Sequence, residues 1–180
     1  SKSHVSTMNS GDLRSNEVST TVSAAQAGDA RIEHVAADGS VTVLKAKVPV
    51  LAGEIVDATV MSRNALREFL AEQVADAKRQ GVLFSVHLKA TMMKVSDPIL
   101  FGHVVQVYFA DVFAKHAATF ERLGVNANDG LAALYANLEG LPEGERTAIE
   151  ADLKAALEEG PPLAMVDSDR GITNLHVPSD

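Results

Sequence analysis

The first third of the chain shows the alternation of apolar and polar residues that is typical of β-strands. Residues 30–37 and 40–47 are two such runs, in which successive side chains would point to opposite faces. Asp38-Gly39 separates the two runs, and this dipeptide suits a two-residue type I′ turn. The pattern therefore predicts a β-hairpin.

Extended structure is also predicted on both sides of this hairpin. Residues 48–61 form an extended stretch interrupted at Gly53, and Pro49 favours an edge strand or a bend because proline has no N–H to donate to a sheet. Residues 1–29 are rich in Ser, Thr, Asn and Gly and have no sustained period. We predict an irregular lead-in there, with a short strand at 17–22.

The pattern changes to the helical period over residues 63–80. Ser62 is suited to cap the first turn, and Gly81 stands where a left-handed residue ends a helix. Residues 82–90 follow as a dense apolar run that predicts a buried strand. One stripe of the helix carries its apolar side chains, which are Leu66, Phe69, Leu70, Val74 and Ala77.

Helices dominate the remainder of the chain. Ser96-Asp97-Pro98 predicts a helix start, with a capping side chain followed by proline at the first helical position, and this helix is expected to cover 98–123. The predicted helix at 63–80 is followed directly by the predicted buried strand at 82–90. This order indicates an α/β fold, in which a layered sheet has flanking helices. Further helices are predicted at 129–138 and 142–159, and short strands at 163–167 and 172–177.

Composition narrows the class of protein. The chain of 180 residues has 16 Lys and Arg against 24 Asp and Glu, a net charge of −8, and its basic residues are scattered. Nucleic acids and anionic membranes both require a clustered basic face, so we predict neither partner. The absence of cysteine excludes disulfides and thiolate chemistry. No apolar run is long enough for a membrane helix, and we expect a soluble, cytoplasmic protein.

A polar ladder lies towards the C-terminal end of the predicted strand at 82–90. Alternation places Ser85, His87 and Lys89 on one face. Ligands of open α/β sheets bind at this end of the strands, and the N–H groups of a following helix can hold an anion. Lys89 is therefore a candidate for proton transfer or for binding an anionic substrate. Simpler roles stay open: Lys89 as a sheet-edge cation, His87 as a hydrogen-bonded core residue, and Lys94 as a surface residue rather than a phosphate contact.

Metal and nucleotide motifs are weak or absent. The six His residues have no metal-binding spacing, and no glycine-rich nucleotide loop is found. Acidic residues near the predicted strand ends offer a neighbourhood for Mg²⁺ or Mn²⁺, although turn capping is the more frequent role of such residues. They are Asp167, Asp169 and Asp180.

Several separated segments carry a recognisable pattern in one order along the chain. The longest is residues 81–99, which reads VHLKATMMKVSDPI from position 86 onwards. The others are SKSHV at 1–5, VLKAK at 43–47, AGEI at 52–55, VMS at 60–62, NALR at 64–67, LAMV at 163–166 and GITNLHVPSD at 171–180. Together they resemble the monomeric-type, NADP-dependent isocitrate dehydrogenases, with weaker similarity over 16–35 and 104–160.

The resemblance implies a piece of a longer, monomeric, two-domain enzyme. Such an enzyme oxidises and decarboxylates isocitrate to 2-oxoglutarate with NADP and Mg²⁺ or Mn²⁺. The resemblance assigns the role of catalytic lysine to Lys89. It places residues 30–180 in the first part of the large central domain, after the lead-in at 1–29. The substrate-clamping residues, the catalytic tyrosine and the metal ligands are expected outside these 180 residues. Neither Tyr108 nor Tyr135 stands in the matching context, so neither is assigned a catalytic role.

Three hypotheses follow for what the chain does. The first is part of an isocitrate dehydrogenase that is inactive as the isolated chain. The second is a non-enzymatic α/β module with a structural or interaction role. The third is another lysine-dependent enzyme, such as one that forms a Schiff base. Whether the isolated chain self-associates is left open by the sequence.

Overall fold

A computed structural model describes residues 2, 4–86, 88 and 93–164. The chain divides into two compact units. Asn9–Ser62 form one, which we call the strand unit, and Ser1–Met8 with Arg63–Asp180 form the other, the helical unit. The domain boundary predicted between residues 29 and 30 concerns the larger protein and stays a prediction.

The strand unit contains two antiparallel sheets of two strands each. Strand β1, Val18–Thr21, pairs with β4, Ile55–Ala58. Strand β2, Gly28–Val35, pairs with β3, Val41–Val50, which confirms the predicted hairpin. With only two strands in a sheet every strand is an edge strand, and this confirms the position inferred from Pro49.

The turn of the hairpin differs from the predicted type I′. Gly39 donates its N–H to the Ala36 carbonyl at 2.9 Å, and the Ala36 N–H reaches the Ser40 carbonyl at 2.9 Å. Gly39 has φ 83°, while no non-glycine residue in the described part of the chain has positive φ. The type I′ prediction is therefore wrong, because that turn needs positive φ at Asp38 as well. Asp38 instead accepts the Ser40 N–H at 2.9 Å, and this bond lowers its pKa.

The strand unit buries very little apolar surface. Among its described residues Val22 is the one buried hydrophobic side chain, at 6% exposure. All eight residues of β2 are exposed. Two-stranded sheets are marginally stable without a packed face, so this unit draws little stability from its own contacts.

The helical unit begins with helix α1, Arg63–Gln80, which has the bounds predicted from the sequence. Gly81 adopts φ 63°, its N–H binds the Lys78 carbonyl, and the next N–H, of Val82, binds the Ala77 carbonyl. This is the Schellman arrangement, so the predicted glycine stop is confirmed. Three members of the predicted stripe are buried, namely Leu66, Leu70 and Ala77.

The single helix predicted over 98–123 is divided into three. They are α2, Ser96–Tyr108, α3, Ala110–Lys115, and α4, Ala117–Leu123. The breaks lie at Phe109 and His116, where ψ changes to 32° and 21°. Hydrogen bonds continue across both, so the chain bends without opening. The prediction of one undivided helix is wrong, because ψ at Phe109 and His116 departs from the helical value of about −42°.

The last two helices close the core. A 3₁₀ turn, Ala127–Asp129, leads into α5, Gly130–Leu138, and α6 follows at Glu143–Glu159, both close to their predicted bounds. No helix among the described residues is long and apolar enough to cross a membrane. The core cluster consists of Val105, Phe109, Val112, Phe120, Ala127, Leu134, Leu138, Leu141, Ile149 and Leu153.

The helical unit also holds a short parallel pair of strands. Strand β5, Phe84–Ser85, lies beside β6, Leu163–Ala164. The chain is thus mixed α and β, but every sheet in the described ranges has two strands, and the expected layered sheet is not found there. The apolar helix faces pack on other helices instead. Of the long strand predicted at 82–90, only β5 is a strand in the structure, and residues 87, 89 and 90 lie outside the described residues. Residues 165–167 of one predicted C-terminal strand and all of the other, 172–177, also lie outside them.

Gly102 in α2 offers a test of this packing. A Cβ at this position would overlap Asn128 Oδ1 and lie 3.0 Å from the Asn128 backbone nitrogen. We expect Gly102→Ala to lower the free energy of unfolding by about 1–3 kcal/mol, measured by urea denaturation.

Gly144 in α6 is the matched control, because a Cβ there meets nothing within 4 Å. Gly144→Ala is expected to stabilise by up to about 1 kcal/mol through helix propensity. Equal effects of the two substitutions would contradict the described contact between Gly102 and Asn128.

Candidate functional site

The residues of the candidate site follow strand β5 in the sequence. Strand β5 pairs with β6, at the end of the described part of the chain. Phe84 pairs with Leu163 and Ser85 with Ala164 in the parallel ladder. The Phe84 N–H also donates to the Pro162 carbonyl at 2.8 Å. Residues about 80 positions apart in the sequence therefore fix the direction in which the chain leaves β5.

Tyr108 joins this strand pair to the helices. Its hydroxyl donates to the Pro161 carbonyl at 2.7 Å, and Pro161 is fully buried. Burial raises the pKa of Tyr108, so the hydroxyl stays protonated and able to donate at neutral pH. The C-terminal end of α2 thereby holds the segment that carries β6, and β6 holds β5.

The predicted site residues lie just beyond this anchored strand. Lys89 and His87 are outside the described residues, so their shared face with Ser85 stays a prediction. Leu88 is partly buried, whereas Lys94 is exposed. The exposure of Lys94 agrees with the surface role left open for it.

Helix α2 starts earlier than the sequence predicts. Its first residue is Ser96, its N-cap is Val95, and no side chain caps it. Pro98 is the third helical residue rather than the first. The prediction of a capping side chain followed by proline at the first helical position is therefore wrong, although proline is tolerated at the third because first-turn N–H groups have no partner within the helix.

Asp97 is a buried carboxylate in the first turn of α2. It is 6% exposed, and Ser96 Oγ donates to its Oδ1 at 3.4 Å. Among the described residues no Lys, Arg or His nitrogen lies within ion-pair distance of this carboxylate. The expectation that an anionic substrate binds at this helix start stays a prediction.

Described residues offer no metal centre. No group of three or more His, Asp or Glu in the described part of the chain is arranged to hold an ion. Asp167, Asp169 and Asp180, the acidic candidates, lie outside that part. Whether they bind Mg²⁺ or Mn²⁺ stays untested.

The structure brings together one polar group between α1 and α2 that the sequence analysis missed. Arg67 donates to Gln106 Oε1 at 2.9 Å and lies 3.5 Å from His103 Nδ1. Burial, followed by the charges of Arg67 and Arg63, lowers the pKa of His103. The imidazole is therefore neutral at pH 7 and serves as a hydrogen-bonding contact between helices. No short-range spacing indicates this group, because its members lie on two helices.

A second polar group that the sequence analysis missed connects the α3–α4 junction to α6. His116 Nε2 lies 2.6 Å from Asp152 Oδ2, and Lys115 Nζ lies 2.7 Å from the same atom. Hydrogen bonds from Lys115 and then His116 are the main causes that lower the pKa of Asp152. These two contacts connect the α3–α4 junction to α6.

Tyr135 differs from Tyr108 in its surroundings. It is 38% exposed, and burial together with the charge of Glu150 raises its pKa. Neither tyrosine ionises near neutral pH. No described contact gives either of them a catalytic role.

The family model for monomeric isocitrate dehydrogenase matches residues 1–180, the whole chain. The chain belongs to the monomeric isocitrate dehydrogenase family.

Curated relatives agree with this assignment. The chain is 56% identical over 180 residues to isocitrate dehydrogenase [NADP] 2 of Colwellia maris, 54% to isocitrate dehydrogenase [NADP] of Azotobacter vinelandii and 56% to that of Corynebacterium glutamicum. All of this chain is covered in each case, but only 24% of each relative. The chain thus spans about a quarter of the length of these relatives.

The bond from Tyr108 to Pro161 leads to a stability prediction. Tyr108→Phe leaves a buried carbonyl without its donor, so we expect the free energy of unfolding to fall by about 1–3 kcal/mol. Tyr135→Phe is the matched control and should change it by less than about 0.5 kcal/mol, because that side chain is partly exposed. If urea denaturation showed similar losses of unfolding free energy for the two variants, the role of the Tyr108 hydroxyl would be contradicted.

The pairing of Asp152 predicts a pH dependence. Its pKa is lowered from 3.8 in the folded state, so its contribution to stability is present above about pH 3.8 and is lost as the pH falls through the folded value. Asp152→Asn should lower the urea midpoint at pH 7, and the difference from the unsubstituted protein should shrink at pH 3. Asp111→Asn, at an exposed position of α3, should have little effect at either pH. A pH-independent loss would refute the ion pair as its cause.

Proposed function

We propose that the chain is part of a longer NADP-dependent isocitrate dehydrogenase, which converts isocitrate to 2-oxoglutarate and CO₂ with formation of NADPH. The family match over all 180 residues is the observation that carries this proposal. Because the chain spans 24% of its relatives, the activity belongs to the longer polypeptide. We expect the isolated chain to be inactive.

The reaction places clear demands on acid–base groups. A hydride leaves C2 of the substrate for the nicotinamide ring as the hydroxyl proton is lost. The carboxylate attached to the carbon next to the new carbonyl then departs as CO₂. A proton is added to the same carbon. A side chain that accepts and donates protons at the substrate therefore speeds the reaction by about 10²–10⁴-fold.

We assign this acid–base role to Lys89. A lysine amine accepts a proton and returns it as the ammonium, and its pKa adjusts to burial and nearby charge. Its place in the segment at 81–99, which carries the strongest resemblance, supports the assignment.

Cofactor and metal sites are proposed to lie elsewhere in the longer protein. The family implies NADP and Mg²⁺ or Mn²⁺, but the described residues contain no acidic or histidine cluster that fits a metal. They contain no glycine-rich phosphate loop either. We therefore propose that Lys89 acts beside a cofactor and an ion held by other parts of the polypeptide.

The architecture of the longer protein is proposed on similar grounds. Parallel strands of two residues, like β5 and β6, are too short to form a stable sheet alone. We infer that they belong to a larger, layered sheet completed by other strands of the polypeptide, within the central substrate-side domain that includes residues 30–180. We further propose that the protein is monomeric and cytoplasmic, and that isocitrate is its substrate.

Substitution of Lys89 tests the proposed function. In the full-length protein Lys89→Met keeps the length of the side chain but removes its proton-carrying nitrogen. We expect kcat for isocitrate-dependent NADPH formation to fall by about 10²–10⁴-fold, because general acid–base catalysis is lost. NADPH absorbance measures the rate, and circular dichroism with a thermal melt checks the fold.

Lys154→Met is the matched control. Lys154 is exposed on α6 and pairs only loosely with Glu158, at 3.7 Å. This variant should keep near-normal turnover. If Lys89→Met also retained near-normal kcat, the assignment of Lys89 would fail, and absence of isocitrate turnover in the unsubstituted full-length protein would refute the function itself.

A further inference from the structure

Two arginines on α1 have no carboxylate partner in the described part of the chain. Every other described arginine of the helical unit lies within ion-pair distance of an acid: Arg79 of Asp76, Arg122 of Glu145 and Arg146 of Glu150. Arg63 and Arg67 form no such pair with the described residues, although the whole chain carries a net charge of −8. Their positive charge is therefore not compensated locally.

These arginines act together on one side chain of α2. Arg63 and Arg67 are four residues apart, so their side chains are neighbours on one face of α1. The charges of both reach His103, and Arg67 Nη1 lies 3.5 Å from His103 Nδ1. Within α1 and α2, no position three or four residues from any of the three holds Asp or Glu. We call this group the arginine–histidine cluster.

The contacts that orient Arg67 occupy only one of its nitrogens. Nη1 donates to Gln106 Oε1 at 2.9 Å, and the contact with His103 also involves Nη1. Within the described part of the chain, Nη2 and Nε have no acceptor. These two nitrogens form the fork with which a guanidinium binds two oxygens of one carboxylate or phosphate. Since Arg67 is only partly buried, a small ligand can reach the fork.

His103 is the group in this cluster that would respond to a bound anion. Burial, followed by the charges of Arg67 and Arg63, lowers its pKa, so the imidazole is neutral at pH 7. An anion held by the two guanidinium groups offsets their charge and favours the protonated ring, which raises the pKa. The imidazole is therefore a natural reporter of binding.

We propose that Arg63, Arg67 and His103 form a binding site for a small dianion that carries carboxylate or phosphate oxygens. Two uncompensated guanidinium groups on one helix face match a ligand with two negative charges, and the free fork of Arg67 fixes two of its oxygens. All three residues belong to the helical unit. The proposal does not rest on the role assigned to Lys89.

Acylation of His103 in the full-length protein tests the site. Diethyl pyrocarbonate reacts with neutral imidazole, and residues 95–115, which trypsin releases as one peptide, contain no other histidine. At pH 6.5, sodium sulfate or sodium succinate should slow this reaction about threefold or more relative to sodium chloride of equal ionic strength, because a bound dianion shields and protonates the ring. His34, exposed in the strand unit, is the internal reference and should not respond.

Two variants show whether the effect belongs to the cluster. Arg67→Gln should abolish the protection of His103. Arg79→Gln is the matched control on the same helix, because that arginine already pairs with Asp76, and it should keep the protection. Arg63→Gln, at an exposed position, repeats the test if Arg67→Gln does not fold.

Every outcome bears on the site. Saturable protection of His103 that requires Arg67 supports it, and the stronger of the two salts then identifies phosphate-like or carboxylate ligands as the better fit. Equal rates in sulfate, succinate and chloride overturn the proposal. Slowing that persists in Arg67→Gln, or that affects His34 equally, overturns it as well, since neither result would come from binding at the cluster.

Discussion

Packing of α2, α3 and α4 against α5 and α6 is the interaction on which the helical unit depends. Leu138, Ile149 and Leu153 have no exposed surface, and Phe109 is 1% exposed. Burying side chains of this size contributes roughly 1.5–3 kcal/mol each, far more than the exposed ion pairs of the same helices. Helices α2, α3 and α4 each contribute a buried side chain to this core, namely Val105, Val112 and Phe120.

A short series of hydrogen bonds connects this core to strand β5, which precedes the candidate site in the sequence. Tyr108 stands at the end of α2, next to buried Phe109, and its hydroxyl holds the Pro161 carbonyl. The strand that begins two residues later pairs with β5, and the chain continues from β5 to Lys89. Rigid support for a reactive side chain is a general requirement of catalysis, because small displacements are costly. Under the proposed assignment of Lys89, the helices of this chain support β5, which precedes Lys89 in the sequence.

The strand unit has the opposite character. Its hairpin is well specified locally, by Gly39 and by the Asp38 side chain that holds the turn. It nevertheless buries almost no side chain of its own. A unit of this kind is understandable as part of a larger protein, in which other segments supply the packing that a small two-stranded element cannot generate.

Local features were determined by the sequence itself. The hairpin, the bounds of α1 and the stop at Gly81 all follow from side-chain periodicity and glycine chemistry within a few residues. Several separated segments, taken together, indicated the family. The turn type at Asp38, the bends at Phe109 and His116 and the anchoring of β5 were decided only by the tertiary structure. His116 meets Asp152 from 36 residues away and Tyr108 meets Pro161 from 53. Such contacts carry no local period, because they depend on how whole helices pack, and that packing is what the folded chain adds.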